Sequence, residues 1–438
     1  MQPENENTRE SVDPSRRAFL ARTAALAGVA AVGCQSMRRS EAPIPRSRPR
    51  IPLGPDATIR MGLIGAGGMG NGHLDAIMTF REKGVENVEV VAIAEVCKPR
   101  RDAAVEKCTE RQGFGVDAYI DYLELLDRDD VHAVLIASPE HWHAKMAEDA
   151  IAAGKDVYLE KPMTLNLADA LRLERVVASN TCLLQVGTQY MMVPKYIEAQ
   201  RLIAAGAIGH PTLSQTSYCR NSRDGEWLYG IDPTVEPGET LDWERWLGPI
   251  EWHEFDTEIF HRWRRYKDFS TGIVGDLLVH QMTPLMMALD AGWPVRVCAS
   301  GGHYVDKQME NHDQVFLNVE FEKEHTMVVA GSTCNDTGLE VLIRGHEANL
   351  HLGSNNCVLR PQQPFVDDVD EETIECPGVS SQDELRRDWL ACIRSREPVR
   401  SPVDFGTRHM VIVDLATRSL WQGGAYEFDP ATMKARLV

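Results

Sequence analysis

Short apolar runs alternate with amphipathic stretches in the first half of the chain. The runs are Ile59–Ile64, Val88–Ala94, His132–Ala137 and Asp156–Leu159. The stretch after each of the first three, such as the one from Met69 to about Lys83, reads as a helix. This βαβ rhythm predicts a parallel, doubly wound sheet.

The pattern changes after about residue 189, where longer strand-like runs are separated by turn residues. These runs predict a separate, largely antiparallel sheet with a helix across it, and they are Thr212–Cys219, Asp313–Phe321, His325–Ala330 and Leu339–Arg344. Two late amphipathic helices, about Asp383–Ser395 and Phe405–Leu420, are expected to pack near the domain junction. No internal repeat is visible.

The expected organisation therefore has five parts. They are a signal at 1–34, a Pro- and Arg-rich linker at 35–57, a dinucleotide-binding domain at 58–188, an α+β domain for substrate binding and oligomerisation at 189–382, and C-terminal helices at 383–438. A chain of 438 residues is too long for one ordinary core, which agrees with two folded domains.

The N-terminus resembles an export signal. Ser15-Arg16-Arg17-Ala18-Phe19-Leu20 matches the twin-arginine pattern, and the apolar run Ala24–Gly33 is too short and too rich in Ala and Gly for a membrane span. Cys34 follows a partial lipoprotein-type cleavage site, so lipidation and plain cleavage both stay open. We expect an exported protein, either periplasmic or membrane-anchored as a lipoprotein, that uses the twin-arginine machinery.

Charge is distributed unevenly along the chain. Residues 1–57 contain nine Lys or Arg and six Asp or Glu, whereas the rest contains 37 against 59 and has a net charge of −22. A folded body this acidic repels phosphate backbones, so nucleic acid is not an expected partner. Apart from Cys34, the nine cysteines have no paired spacing, and no His/Cys cluster predicts a metal site.

A glycine-rich turn follows the first strand and opens the first helix, which is the context that a dinucleotide fingerprint needs. Its members are Gly65, Gly67, Gly68, Met69 and Gly70. The first glycine permits the turn, the second allows backbone N–H groups to approach the pyrophosphate, and the last allows close helix–strand packing. The positive end of the helix dipole favours the phosphate charge.

Glu95 ends the second strand, twenty-five residues after the last glycine. A carboxylate there can accept hydrogen bonds from a ribose 2′-OH and repels a 2′-phosphate, which favours NAD over NADP as the cofactor. Lys98, Arg100 and Arg101 follow closely and weaken this preference.

The fourth apolar run, Asp156–Leu159, leads into Glu160-Lys161-Pro162, about ninety residues after the glycines. Together, in this order and spacing, the two motifs resemble the glucose–fructose oxidoreductase/inositol dehydrogenase (Gfo/Idh/MocA) family. The resemblance is strongest at 58–190 and 270–282. It implies an α/β fold with an N-terminal Rossmann doubly wound parallel sheet and a C-terminal α+β domain with a large, mostly antiparallel open sheet. It also implies a homodimer or homotetramer.

By this resemblance, Lys161 contacts both the substrate hydroxyl and the nicotinamide, and Glu160 can pair with its ammonium. The remaining cofactor-side candidates lie in loops at the carboxyl ends of strands, and they are Ser138, His141, His143 and Gln189. For His141, packing or helix capping is an equal alternative to cofactor contact.

Asp276 and His280 stand four residues apart, so on a helix they share one face and can reach one ligand atom. The family has an Asp and a His at this spacing, facing the lysine. His280 is therefore expected to be the general acid or base, and Asp276 to orient the substrate or the imidazole.

Five tryptophans lie between residues 227 and 263, and Arg262, Arg264 and Arg265 stand at the end of this stretch. Such a segment can be a glycan-binding wall, but it is more often a packing loop between domains.

These features predict an NAD-dependent oxidoreductase for a sugar or glycoside hydroxyl. Outside the cytoplasm no nicotinamide pool regenerates a released cofactor, so we expect the cofactor to stay bound and to be recycled. Oxidation of one sugar with reduction of another satisfies this condition, and so does redox-neutral glycoside cleavage through a keto intermediate. The alternative is a catalytically silent, sugar-binding exported protein on the same fold.

Overall fold

The computed structural model describes residues 42–438, so the twin-arginine pattern and Cys34 lie outside the described residues. Within the described part of the chain, no helix is both long and apolar enough to span a bilayer. Residues 42–57 contain no helix or strand. Their backbone is nevertheless bonded to the first domain: Arg172 donates to the Ala42 carbonyl at 2.6 Å, and the Asn180 amide oxygen accepts from Ser47 N at 2.7 Å.

The first domain is built on a six-stranded sheet in which every neighbouring pair is parallel, with the order β3-β2-β1-β4-β5-β6. The strands are β1 (Ile59–Ile64), β2 (Val88–Ala94), β3 (Asp117–Tyr119), β4 (Ala133–Ile136), β5 (Asp156–Leu159) and β6 (Leu184–Val186). Helices α1 (Gly68–Glu82), α2 (Lys98–Gln112), α3 (Tyr122–Leu126), α4 (Glu140–Ala152) and α5 (Leu167–Ala178) connect them. This is the predicted doubly wound sheet, and its strand order reverses between β1 and β4, where such sheets bind ligands.

The second domain contains an eleven-stranded sheet with the order β15-β14-β13-β12-β7-β10-β9-β8-β16-β17, and β11 pairs with β7. Its strands are β7 (Pro211–Asn221), β8 (Pro294–Gly302), β9 (Gln314–Phe321), β10 (His325–Ser332), β11 (Cys334–Asn335), β12 (Leu342–Gly345), β13 (Ala348–Leu352), β14 (Asn356–Pro361), β15 (Glu372–Glu375), β16 (Ala425–Asp429) and β17 (Lys434–Leu437). Only β7 and β10 pair in parallel, so the expectation of a mostly antiparallel sheet is confirmed.

The second half of the chain contains further helices, and the last two of them join the two domains. The helices of this half are α6 (Pro194–Ala204), α7 (Trp243–Leu247), α8 (Thr257–Arg262), α9 (Val279–Leu289), α10 (Ser381–Ser395) and α11 (Val403–Gln422). Trp389 of α10 is fully buried and its ring lies 5.6 Å from that of Tyr158 on β5. Helix α11 packs between α5 and β8, and its segment Met410–Ala416 is almost entirely buried in a core shared by both domains.

One part of the C-terminal expectation was wrong. The predicted helices exist, but the chain does not end in them, because Ala425–Asp429 and Lys434–Leu437 are strands of the second sheet. Tyr426 and Phe428 are buried while their neighbours are not, which is the period-two pattern of a strand with one covered face.

Candidate active site

A cavity of about 770 Å³ lies at the carboxyl edge of the parallel sheet, between the glycine-rich turn and the second domain. Its floor is formed by the first domain, and it ends at Lys161. Its roof comes from the segment 222–269, which lies in the chain between β7 and α9. The roof residues are Tyr229, Gly230, Arg245, Trp246, Phe260, His261, Trp263 and Arg264.

The glycine-rich turn leaves open space at the N-terminus of α1. A Cβ atom added to Gly67 or Gly68 would meet no atom within 4 Å, whereas one added to Gly70 would collide with the Gly65 carbonyl oxygen. Gly65 has a φ of +90°, in the region that favours glycine. Gly65, Gly67, Gly68 and Met69 line the cavity, so free N–H groups of the helix start face space that a pyrophosphate can occupy.

Glu95 stands at the carboxyl end of β2 and lines the same cavity. One carboxylate oxygen accepts from Ala66 N at 2.7 Å, and the other accepts from Cys97 N at 2.9 Å. The carboxylate therefore fixes the glycine turn and at the same time lines the cavity. Of the three basic residues that follow, only Arg100 lines the cavity, and its guanidinium lies 4.5 Å from the centre of the Phe260 ring.

The loop after β4 places its predicted residues in different surroundings. Ser138 lines the cavity, and its hydroxyl oxygen is buried without a hydrogen-bond partner among residues 42–438. His143 also lines it, with its ring nitrogens 2.7 Å from the Pro162 carbonyl and 2.9 Å from the Ser138 carbonyl. His141 is not part of the lining. Its Nε2 lies 3.0 Å from the Trp246 carbonyl, which agrees with the packing alternative.

Lys161 is buried at the end of the cavity and is bound by the second domain. Its ammonium donates to a carboxylate oxygen of Asp276 at 2.9 Å and to the Asp276 carbonyl at 3.0 Å. Arg264 donates from Nε to the same carboxylate oxygen at 3.0 Å. Burial alone would raise the pKa of Asp276, but the charges of Lys161 and Arg264 hold it well below its usual range. Asp276 is therefore an anion that fixes two cations.

His280 lies one helical turn beyond Asp276, close to the rings of Tyr190 at 5.3 Å and Tyr218 at 6.2 Å. Burial and the charge of Lys161 lower the pKa of His280 to about 3, so its imidazole is neutral at neutral pH. Its Nδ1 is buried and has no hydrogen-bond partner within the described chain. The backbone between Val274 and Leu278 is a π-helix, which the expectation of one regular helix did not include. Such stretches are frequent at functional sites.

Glu160 is oriented by a residue that the sequence reasoning missed. His73 Nε2 lies 2.8 Å from a Glu160 carboxylate oxygen, and Arg386 donates to His73 Nδ1 at 2.9 Å. Burial would raise the pKa of Glu160, but its hydrogen bond from His73 and its proximity to Lys161 lower it to about 2. The sequence feature that could have pointed to His73 is its position three residues after Gly70, on the buried face of α1.

Arg264 was missed as a site residue because it sits among other arginines in the tryptophan-rich segment. The tryptophans of that segment divide between packing and lining: Trp243 and Trp246 are buried and stacked at 4.8 Å, and Trp246 and Trp263 also line the cavity. Gln189 begins a 3₁₀ turn and is not among the residues that line the cavity.

The described residues contain no cluster of His, Cys, Asp or Glu that could bind a metal ion. A dinucleotide fits the site on three observations: the open space before α1, the carboxylate at the end of β2, and the unpartnered Ser138 hydroxyl between them and Lys161. The glycine turn and Glu95 would bind its adenosine half, and Ser138, His143 and Lys161 would contact its other end.

Two family profiles match the chain and agree with this division. Residues 59–188 match the Gfo/Idh/MocA oxidoreductase family with an NAD-binding Rossmann fold, and residues 241–428 match the C-terminal alpha/beta domain of the same family.

Curated relatives are similar over part of their length. The chain is 33% identical over 192 residues to inositol 2-dehydrogenase 1 of Saccharopolyspora erythraea, covering 43% of this chain and 54% of the relative. It is 30% identical over 159 residues to inositol 2-dehydrogenase of Salmonella typhimurium, covering 36% and 44%. The chain thus spans about half the length of the curated relatives that it matches.

Solved structures share the fold over most of the chain. A levoglucosan dehydrogenase in complex with NADH superimposes with a TM-score of 0.65 at 18% identity, covering 84% of this chain and 98% of that one. An NAD binding oxidoreductase from Klebsiella pneumoniae superimposes with a TM-score of 0.63 at 22% identity, covering 87% and 99%. At these identities the similarity establishes the fold alone.

Proposed function

Because the chain belongs to the Gfo/Idh/MocA oxidoreductase family, we propose that it is an NAD-dependent enzyme that oxidises a CH–OH group of a sugar or glycoside and keeps its cofactor bound. The observation that carries the proposal is the Lys161 ammonium, buried at the end of the dinucleotide cavity and 2.9 Å from Asp276 of the second domain. Inositol and levoglucosan, named for the relatives, are both polyhydroxylated rings.

Bound NAD would supply the hydride acceptor and donor, and the protein must move the hydroxyl proton. Lys161 can donate a hydrogen bond to the substrate oxygen and stabilise negative charge that develops there. His280, neutral and with a free Nδ1, can accept the proton. Asp276 keeps the lysine in place, since its carboxylate already accepts from both Lys161 and Arg264.

The roof supports retention of the cofactor, because main-chain hydrogen bonds join it to the first domain beside the ribose end. Lys98 N donates to the Thr240 carbonyl at 2.7 Å, and Asp242 N donates to the Val96 carbonyl at 3.2 Å. The Trp142 indole donates to the Trp246 carbonyl at 2.8 Å. These contacts hold the roof over the cavity, which favours a cycle in which the cofactor is reduced and reoxidised in place.

Two overall reactions use such a cycle. One oxidises one sugar and reduces another. The other oxidises a ring hydroxyl so that the neighbouring C–H becomes acidic, eliminates the glycosidic substituent, adds water and returns the hydride.

The test is to purify the protein without added nucleotide, denature it, and assay the supernatant for NAD(H) and NADP(H). We expect near-stoichiometric NAD and turnover of a sugar or glycoside without external nicotinamide. The Lys161→Met variant should retain the nucleotide and lose turnover. A wild-type protein that binds neither nucleotide would overturn the proposal and favour a silent sugar-binding protein.

Export is a separate part of the proposal, supported by the twin-arginine pattern at Arg16 and Arg17. Fractionation of the full-length protein against an Arg16/Arg17→Lys double variant tests it, with loss of the exported fraction expected. Lipidation at Cys34 predicts membrane association that Cys34→Ala removes. Light scattering of the purified protein tests the proposed homodimer or homotetramer.

A further inference from the structure

The guanidinium of Arg264 presents an unused edge to the cavity beside Lys161. Its Nε is bonded to Asp276, whereas neither terminal amino group has a hydrogen-bond partner among residues 42–438. One face of the guanidinium packs on the Trp263 indole at 4.2 Å, and Tyr229 lies at 6.0 Å. The side chain is therefore held in one orientation, with its two free terminal amino groups in the cavity.

Arg264 and Lys161 are close together, because each places a nitrogen about 3 Å from the same Asp276 oxygen. A single carboxylate thus faces two cations. His280 is neutral, and Glu160 is already bonded to His73. The ionised Glu160 carboxylate beside Lys161 balances the second cation, so what this end of the cavity offers a ligand is the free edge of the Arg264 guanidinium.

From this geometry we infer that the substrate is a sugar acid, whose carboxylate binds the free edge of Arg264 while its reacting hydroxyl binds Lys161. Arginine presents paired N–H donors that match the two oxygens of a carboxylate. A neutral sugar would leave the terminal amino groups of this guanidinium without an anionic acceptor once water is excluded. The inference rests on the proposed function, because it names the substrate class of that same site.

The test measures ligand binding and turnover separately. A panel of uronates and aldonates, with the matching neutral aldoses and their methyl glycosides, is titrated into the NAD-loaded protein while Tm is followed, and turnover is then measured for every compound that binds. We expect at least one acid to bind, and its neutral counterpart to bind at least about 30-fold more weakly. This is the size of effect found when one partner of a buried, hydrogen-bonded charge pair is removed.

Arg264→Gln retains a donor for Asp276 but lacks the charge and the fork. It should raise KM for the acid by at least about 30-fold while changing kcat much less, and Arg264→Lys should restore part of the affinity. The matched control is Arg296→Gln, an exposed arginine on β8 that pairs with Glu320.

Any of three results would overturn the inference. The acids and the neutral sugars bind equally well, no acid binds at all, or the Arg264→Gln variant binds the acid as tightly as the wild type does. If the enzyme turns over a neutral sugar and the Arg264→Gln variant does so at the same rate, the inference is overturned but the proposed function stands. Conversely, acid binding that depends on Arg264 without any turnover would refute the proposed function and leave the inference intact.

Discussion

His73 binds Glu160 as a neutral imidazole whose tautomer is fixed by its other neighbour. The Arg386 guanidinium can only donate, so His73 Nδ1 must accept, and the proton is on Nε2, which donates to Glu160 at 2.8 Å. Burial lowers the pKa of His73, which agrees with the neutral form. His73 on α1 and Arg386 on α10 thereby orient the carboxylate of Glu160, the residue before Lys161.

We predict that His73→Leu lowers kcat by about 10- to 100-fold, because a buried carboxylate that loses its donor costs about 1–3 kcal/mol. Without that donor, the pKa of Glu160 should rise from about 2, so the acid limb of the kcat–pH profile should move to higher pH. Bound NAD, measured after denaturation, should stay near the wild-type amount.

His73→Gln is the control, since its amide can donate to Glu160 and accept from Arg386. It should recover most of the activity and return the acid limb toward the wild-type position. If both variants lose kcat equally with an unchanged pH profile, His73 acts through packing alone.

Gly67 and Gly70 should separate folding from nucleotide binding, although they stand three residues apart. Gly67→Ala adds a methyl group to open cavity space, so Tm should stay near the wild-type value while NAD affinity falls at least about 10-fold. Gly70→Ala pushes a methyl group against the Gly65 carbonyl, so Tm should fall by several degrees. Thermal unfolding and NAD titration of both variants check this. An unstable Gly67→Ala protein would contradict it.

Residues that act through local backbone context were predictable from the sequence. The glycine turn, Glu95 and Lys161 follow strands whose apolar runs are visible in the sequence. Gly65, Gly67, Gly68, Glu95 and Lys161 all line the cavity at the carboxyl ends of these strands. Residues that depend on long-range packing were not predictable. Arg264 reaches Asp276 only because the segment 222–269 folds back over the first domain, and the period of that segment does not report where it docks.

Glu140 should make stability depend on pH. It is buried, and burial raises its pKa to about 7 even though Ser270 and Thr271 donate to it. Below the ordinary value of 4.5 the carboxyl is protonated in both states. Between 4.5 and 7 the folded state retains a proton that the unfolded state has lost, so stability falls as pH rises through this window.

Glu140→Gln removes that titration while keeping an acceptor for Thr271 N. Relative to the variant, the wild type should lose about 2–3 kcal/mol of unfolding free energy between pH 4.5 and pH 8. Urea unfolding of both proteins across this range measures the difference. A wild-type-minus-variant difference that does not change with pH would show that Glu140 does not titrate in this window.

The preference for NAD should depend on the opposed roles of Glu95 and Arg100. Glu95→Gln offers only one carbonyl oxygen to Ala66 N and Cys97 N, so one buried N–H loses its acceptor and NAD affinity should fall about 10-fold or more. NADP affinity should fall less or rise, since a 2′-phosphate no longer meets a carboxylate while Arg100 remains in the cavity. Arg100→Ala in the same background should remove that relative gain in NADP affinity.

Titration of both dinucleotides into the wild type and the two variants, after bound nucleotide has been removed, measures the ratio of NAD affinity to NADP affinity. A ratio that Glu95→Gln leaves unchanged would mean that the carboxylate only fixes the glycine turn and does not select between the two cofactors.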